Sequence, residues 1–207
     1  GAALTRPLEV NDGSSEGYFV GGVWYAAHTG NGDCGFAFVR AGSAKWSLQN
    51  DYSDGDDFHI REGGFGGTAR ISIERTTGNV GIGTTGTVGA KLHVDGSFKV
   101  EGPITEGYVD NGNSGTSKTI ALTSGTVQRY TLTGNCTFTM PTAVAGQSFT
   151  LMLKQDSTGS RTVSFSGALA WPSNTVPTQT ATANKMDIYV FVSDGSKWYG
   201  SVTQDYT

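Results

Sequence analysis

The stretch 76–102, TTGNVGIGTTGTVGAKLHVDGSFKVEG, constrains the fold more than any other part of the chain. Gly78, Gly81, Gly83, Gly86 and Gly89 are interspersed with small polar residues. Val80, Ile82, Leu92, Val94, Phe98 and Val100 fall at period-2 spacing within short extended runs. A segment so narrow cannot enclose a core of its own. Single aliphatic residues between glycines suit backbone packed closely on backbone, as in a neck where further copies of the chain supply the cover. Val80, Ile82, Leu92 and Val94 are therefore the expected interface of a trimer.

Glycine, at 31 of 207 residues, is about twice its usual share, while charged residues make up 15% against the roughly 25% of ordinary globular proteins. This is the composition of a turn-rich β protein. Candidate strands on the N-terminal side are GYFVGGVWY, CGFAFVR, KWSLQ, DFHIRE and ARISIER, separated by turn clusters. In the last of them Ala69, Ile71 and Ile73 alternate with Arg70, Ser72 and Glu74, which predicts one buried and one wet face. On the C-terminal side KTIALT, VQRYTLT, CTFTMP, QSFTLMLKQ, RTVSFS, MDIYVFVS and KWYGSVT read as further strands. MDIYVFV, apolar nearly throughout, is expected to be central and covered on both faces.

The expected fold class is all-β: two antiparallel modules, sandwich or barrel-like, joined by a glycine-rich extended neck and intertwined as a homotrimer. The expected boundaries are an N-terminal β module over 1–75, the neck over 76–102, a linker over 103–116 and a C-terminal β module over 117–207. A Leu-x-Val followed by glycine and serine occurs in ALTRPLEVNDGS as it does in LHVDGS. Taken as a repeat, it predicts that a longer shaft precedes Gly1.

The net charge of −4 and the lack of a Lys/Arg stripe argue against nucleic acid as a partner. No apolar run is long enough to span a bilayer, so no membrane insertion is expected. Cys34 and Cys136, far apart and outside any CxxC, are expected to stay free thiols in a reducing assembly compartment.

Motifs of chemistry are sparse. Gly81-Ile82-Gly83-Thr84-Thr85-Gly86 matches G-x-G-x-x-G, but dinucleotide binding needs a helix opening at the glycines, and TTGTVGAKLHVDG is a poor helix start. Asp51, Asp54, Asp56 and Asp57 lack calcium-loop spacing and read as a solvated turn, with Asp54, Asp56 and Asp57 kept as metal candidates. His28, His59 and His93 are single. His93 becomes a metal candidate only if three copies converge on an axis. No GxSxG is present, and no cofactor is expected. Aromatic residues that could stack on a sugar ring are Trp24, Tyr25 and Trp46, with Trp171, Trp198 and Tyr199 weighed beside them; core packing is the competing role. Adjacent pairs such as Trp24-Tyr25 and Trp198-Tyr199 must point to opposite faces of their strands.

GNVGIGTTG followed by AKLHVDGS resembles a signature of the shafts of bacteriophage tail fibres and tail spikes, and HIREGGFGGTARISIERTT resembles what often precedes it. YTLTGNCTFTMPTAVAGQSFTLMLKQDSTGSRTVSF, continuing to WPSNTVPT and SKWYGSVTQDY, resembles a β module at the C-terminal end of phage fibre proteins. These resemblances imply a non-enzymatic structural component of a phage virion, assembled in the host cytoplasm. It would be a segment of a trimeric tail fibre or spike in contact with other virion proteins and with host surface polysaccharide. A head fibre or capsid decoration protein and a polysaccharide depolymerase are the alternatives.

Overall fold

The computed structural model describes residues 10–11, 15–20, 23–28, 31–84 and 86–207, the backbone alone up to residue 28. Most of the proposed shaft repeat in ALTRPLEVNDGS lies outside them, as do the side chains of Trp24, Tyr25 and His28. The structure is all-β, and among the described residues its helical segments are the single 3-10 turns Tyr52–Asp54 and Pro172–Asn174. The chain divides into two compact units, Gly1–Glu101 and Gly102–Thr207.

In the first unit β1 (Val10–Asn11), β2 (Ser15–Val20) and β3 (Val23–His28) form a three-stranded antiparallel sheet. The strands β4 (Cys34–Arg40), β5 (Ser43–Asp51), β6 (Asp57–Glu62), β7 (Thr68–Ile73), β8 (Val80–Ile82) and β9 (Leu92–Val94) then lie side by side in chain order. Every pair is antiparallel except β8 with β9, which is parallel. The neck motif is thus built into a sheet edge. Gly81 is one of its close-packed glycines: a Cβ there would stand 3.0 Å from Val88 and 3.1 Å from Thr84, side chains of the loop that joins β8 to β9. The backbone at Gly81 is approached by its own chain. No helix opens after the G-x-G-x-x-G among the described residues.

In the second unit β10 (Tyr108–Asn113), β11 (Ser117–Thr119), β12 (Val127–Leu132), β13 (Cys136–Thr139), β14 (Ser148–Gln155) and β15 (Val163–Ser166) alternate between two sheets. The even-numbered strands run parallel in one sheet, the odd-numbered in the other. Each circuit lays one strand in each sheet, so the crossover that a parallel pair requires is itself a strand. After β16 (Leu169–Ala170), the strands β17 (Met186–Ser193) and β18 (Trp198–Tyr206) complete the larger sheet, and β17 is antiparallel to both β14 and β18. The antiparallel pairing expected from the sequence therefore holds for most of the first unit and for β17, while the other strand pairs of the second unit are parallel. Tyr108–Asn113, read from the sequence as linker, is the edge strand of the larger sheet.

The two sheets of the second unit enclose a core of Tyr130, Leu132, Phe138, Phe149, Leu151, Leu153, Tyr189, Phe191 and Trp198. Phe149 stacks on Phe191 at 4.7 Å and meets Trp198 edge-on at 5.0 Å. The Trp198 Nε1 donates to the Pro141 carbonyl at 2.8 Å, so this ring carries no unmet polar group into the core. Trp171 packs on Phe165 and Phe191, and Gly200 is obligatory beneath it, since a Cβ would stand 2.5 Å from the ring. Between the circuits, buried Gln155 donates to the Arg161 and Thr180 carbonyls and accepts from the Arg161 amide. The central strand β17 is covered on one face only, because Val190 and Val192 are exposed. The expectation of cover on both faces is corrected accordingly. Cys34 and Cys136 are free.

Candidate functional site

The two faces of the β4–β9 sheet have opposite chemistry. Along β5, Ser47, Gln49 and Asp51 are buried, while Trp46, Leu48 and Asn50 point the other way. The register carries this pattern across the sheet. Ser47 pairs with Arg61, Gln49 with His59, His59 with Ser72 and Ser72 with Gly81, so one face is polar. Phe36 pairs with Leu48, Leu48 with Ile60, Ile60 with Ile71 and Ile71 with Ile82, so the other is apolar.

The polar face is the covered one. Asp51 and Arg61, both largely buried, form an ion pair, and Arg61 also donates to the Gly67 carbonyl at 2.7 Å. Burial raises the Asp51 carboxyl pKa, but the Ser53 hydroxyl and the Arg61 guanidinium outweigh it and hold the group below its ordinary 3.8. His59, 2% exposed, shares a hydrogen bond with the Ser72 hydroxyl at 2.9 Å through Nδ1 and with Asp54 at 3.1 Å through Nε2. Asp54, His59, Arg61, Ser72, Glu74 and Thr84 are among the residues lining a cavity of about 580 Å³.

Serine, histidine and aspartate are thus brought together, which neither spacing nor motif in the sequence predicts. Their roles are those of a satisfied buried histidine. The serine sits on Nδ1 and the carboxylate on Nε2, the reverse of the serine-protease order, and the Asp54 side chain is 63% exposed, too solvated to orient the ring tightly.

Asp51 makes a first test. Removing one partner of a buried ion pair costs about 3–5 kcal/mol, so Asp51→Ala should lower stability in urea by that order. Because the folded carboxyl titrates below 3.8, its contribution is complete above that pH and disappears as acid protonates the folded form. Wild type should lose stability below about pH 4 more steeply than Asp51→Asn; equal slopes would remove the ion pair from the account.

The metal candidates are spent elsewhere. Asp54 holds His59, Asp57 accepts from the Arg75 amide at 2.8 Å, and Asp56 lies 3.7 Å from the Arg75 guanidinium. Among the described residues no group of three or more His, Cys, Asp or Glu could hold a metal ion. His93 is exposed and pairs with Gly81 on the face opposite Leu92 and Val94. An axis formed by the two aliphatics therefore leaves this histidine pointing away from it.

The apolar face is the open one. Val80 and Val94 are half-buried, while Ile82 is 40% and Leu92 52% exposed. Trp46, proposed from the sequence as a sugar platform, stands on this same face opposite Phe38. Trp24 and Tyr25 lie on β3 opposite Phe19 and Tyr18. In the second unit Trp198 is fully buried and Tyr199 is exposed, pointing outward with its hydroxyl on Asp194.

Residues 114–198 match the family model described as "Putative phage tail fibre C-terminal domain", a span covering most of the second unit. The match supports the resemblance of the chain to phage tail fibres and a structural role in the virion. No curated protein and no solved structure matches the chain.

Proposed function

We propose that the chain is a segment of a trimeric phage tail fibre or spike, assembled in the host cytoplasm, that joins the adsorption apparatus and contacts the host surface. The observation that carries this reading is the neck: Ile82 and Leu92 stand open on a single chain, within a motif that resembles fibre shafts. Three copies around an axis cover them. The match at residues 114–198 supports the same setting. In this reading residues 76–102 are the joint where the three chains meet, other virion proteins hold the fibre in place, and host surface polysaccharide is the external partner.

Purified protein should compete with phage for adsorption to host cells and show no affinity for empty heads. Stoichiometric binding to heads with adsorption unaffected would assign it instead to capsid decoration. The role is structural, so incubation with host capsule or lipopolysaccharide should release no reducing ends. The Ser72–His59–Asp54 group should give no ester hydrolysis that Ser72→Ala abolishes. Release that one Asp or Glu substitution removes, or hydrolysis dependent on Ser72, would make the chain an enzyme.

A further inference from the structure

We infer that the whole apolar face of the β4–β9 sheet, from Phe36 and Phe38 to Leu92 and Val94, is a surface covered by further copies of this chain. The inference rests on the three-chain reading above and extends it from the sheet edge across all six strands.

Among the described residues, little apolar burial holds the β4–β9 sheet together on a single chain. Its covered face is polar, and Val88 is the one buried apolar residue among the described residues of Gly1–Glu101. A sheet gains little from burying Ser47, Gln49 and His59, while ordering its residues carries the usual entropic cost. Its large side chains lie on the other face. Phe36, Phe38, Trp46 and Phe58 are exposed, and Ile73, Ile82 and Leu92 continue the patch. At roughly 150–250 Å² per aromatic side chain, the four rings alone leave on the order of 400 Å² open. With the aliphatics the patch reaches roughly 600 Å², the upper end for a monomer and near the ~800 Å² that each partner of a stable complex buries.

The chemistry of the face selects the occupant. Copies around a symmetry axis meet through their own surfaces, so a charged face would repel itself or leave ions buried. From Phe36 on β4 across to Val94 on β9, the paired positions within this face carry no charge. Glu62, opposite Trp46 at the margin, is already paired with Arg70. A sugar site would interleave its rings with hydrogen-bonding groups. Here the cross-strand neighbours of Phe36 and of Leu48 are apolar, Trp46 faces Phe38, and Asn50, the amide opposite Cys34 and Phe58, already donates to the Asp56 carbonyl. Trp46 is thereby assigned to contact between chains and not to a glycan.

Cys34, on the same face of β4 as Phe36 and Phe38, reports on the cover, while buried Cys136 serves as internal reference. In wild type at micromolar concentration Cys34 should react with N-ethylmaleimide at least tenfold more slowly than after Phe38→Asp. Diluting the wild type until its mass falls should release Cys34 in step with dissociation, a readout independent of any substitution. A trimer whose Cys34 reacts at the rate of a free surface thiol would confine the contact to the neck and overturn the inference, leaving the fibre reading intact. A folded monomer with reactive Cys34 would overturn both. A monomer with shielded Cys34 would give the cover to the chain's own segment, and shielding only on addition of host polysaccharide would make the face a ligand site; either contradicts the inference.

Discussion

Replacing Ile82 and Leu92 together with aspartate should leave the chain monomeric. Each buried Ile or Leu contributes roughly 1.5–3 kcal/mol, so two per chain over three chains remove on the order of 9–18 kcal/mol of gross apolar stabilisation. That loss is comparable to the net stability of a typical domain, about 5–15 kcal/mol. The introduced carboxylates add to it, since near an axis they would crowd one another without partners. Both positions lie on the apolar face, by the pairs Ile71 with Ile82 and Val80 with Leu92. Light scattering at micromolar concentration reads the result directly. A double variant that keeps the mass and melting temperature of wild type would remove the neck from the interface.

Trp198→Ala should be the most damaging single truncation in the second unit. The ring is fully buried, meets Phe149 edge-on and gives its N–H to the Pro141 carbonyl, so truncation leaves a large cavity and an unpaired carbonyl. Losses of about 3–5 kcal/mol are usual for such a change, which corresponds to roughly 10 °C or more in melting temperature at this size. Tyr199→Ala, one residue on but facing outward, should cost far less, because what it loses is chiefly a solvent-exposed hydrogen bond to Asp194. Near-UV circular dichroism during thermal melting separates the two, and equal costs would show that Trp198 is not the keystone of this core.

The contrast between the units marks where sequence pattern carries structure and where it stops. Alternation in QSFTLMLKQ places Phe149, Leu151 and Leu153 on one face, because a period of two fixes which side chains share a face, whereas MDIYVFVS is apolar on both sides and gives no sign that Tyr189 and Phe191 are covered while Val190 and Val192 are open. It carries no information on direction. Strands that alternate between two sheets recur at the same short spacing as hairpins do, so the parallel circuits of β10–β15 are invisible in the pattern. YVDNGN lies in the stretch expected to be linker, and it is the edge strand of the larger sheet.

In the first unit the limit is different. Ile71 and Ile73 alternate with polar residues as a half-buried strand should, yet Ser72 faces the interior and Ile73 is exposed on a single chain. Period identifies two faces, and the identity of the covered one depends on what packs there. The His59–Ser72 and Asp51–Arg61 contacts join residues on neighbouring strands or across a turn, so they appear only once the register is known. Polar alternation in Ser47-x-Gln49-x-Asp51 is the one signal available for them. The trimer expectation at the neck needs no register at all, since it comes from aliphatics too sparse to bury one another.

Sedimentation equilibrium of the intact wild-type chain at micromolar concentration tests the central claim most directly. A trimer gives a single species of three times the 21.7 kDa chain mass, whereas a folded species at the mass of one chain would contradict it.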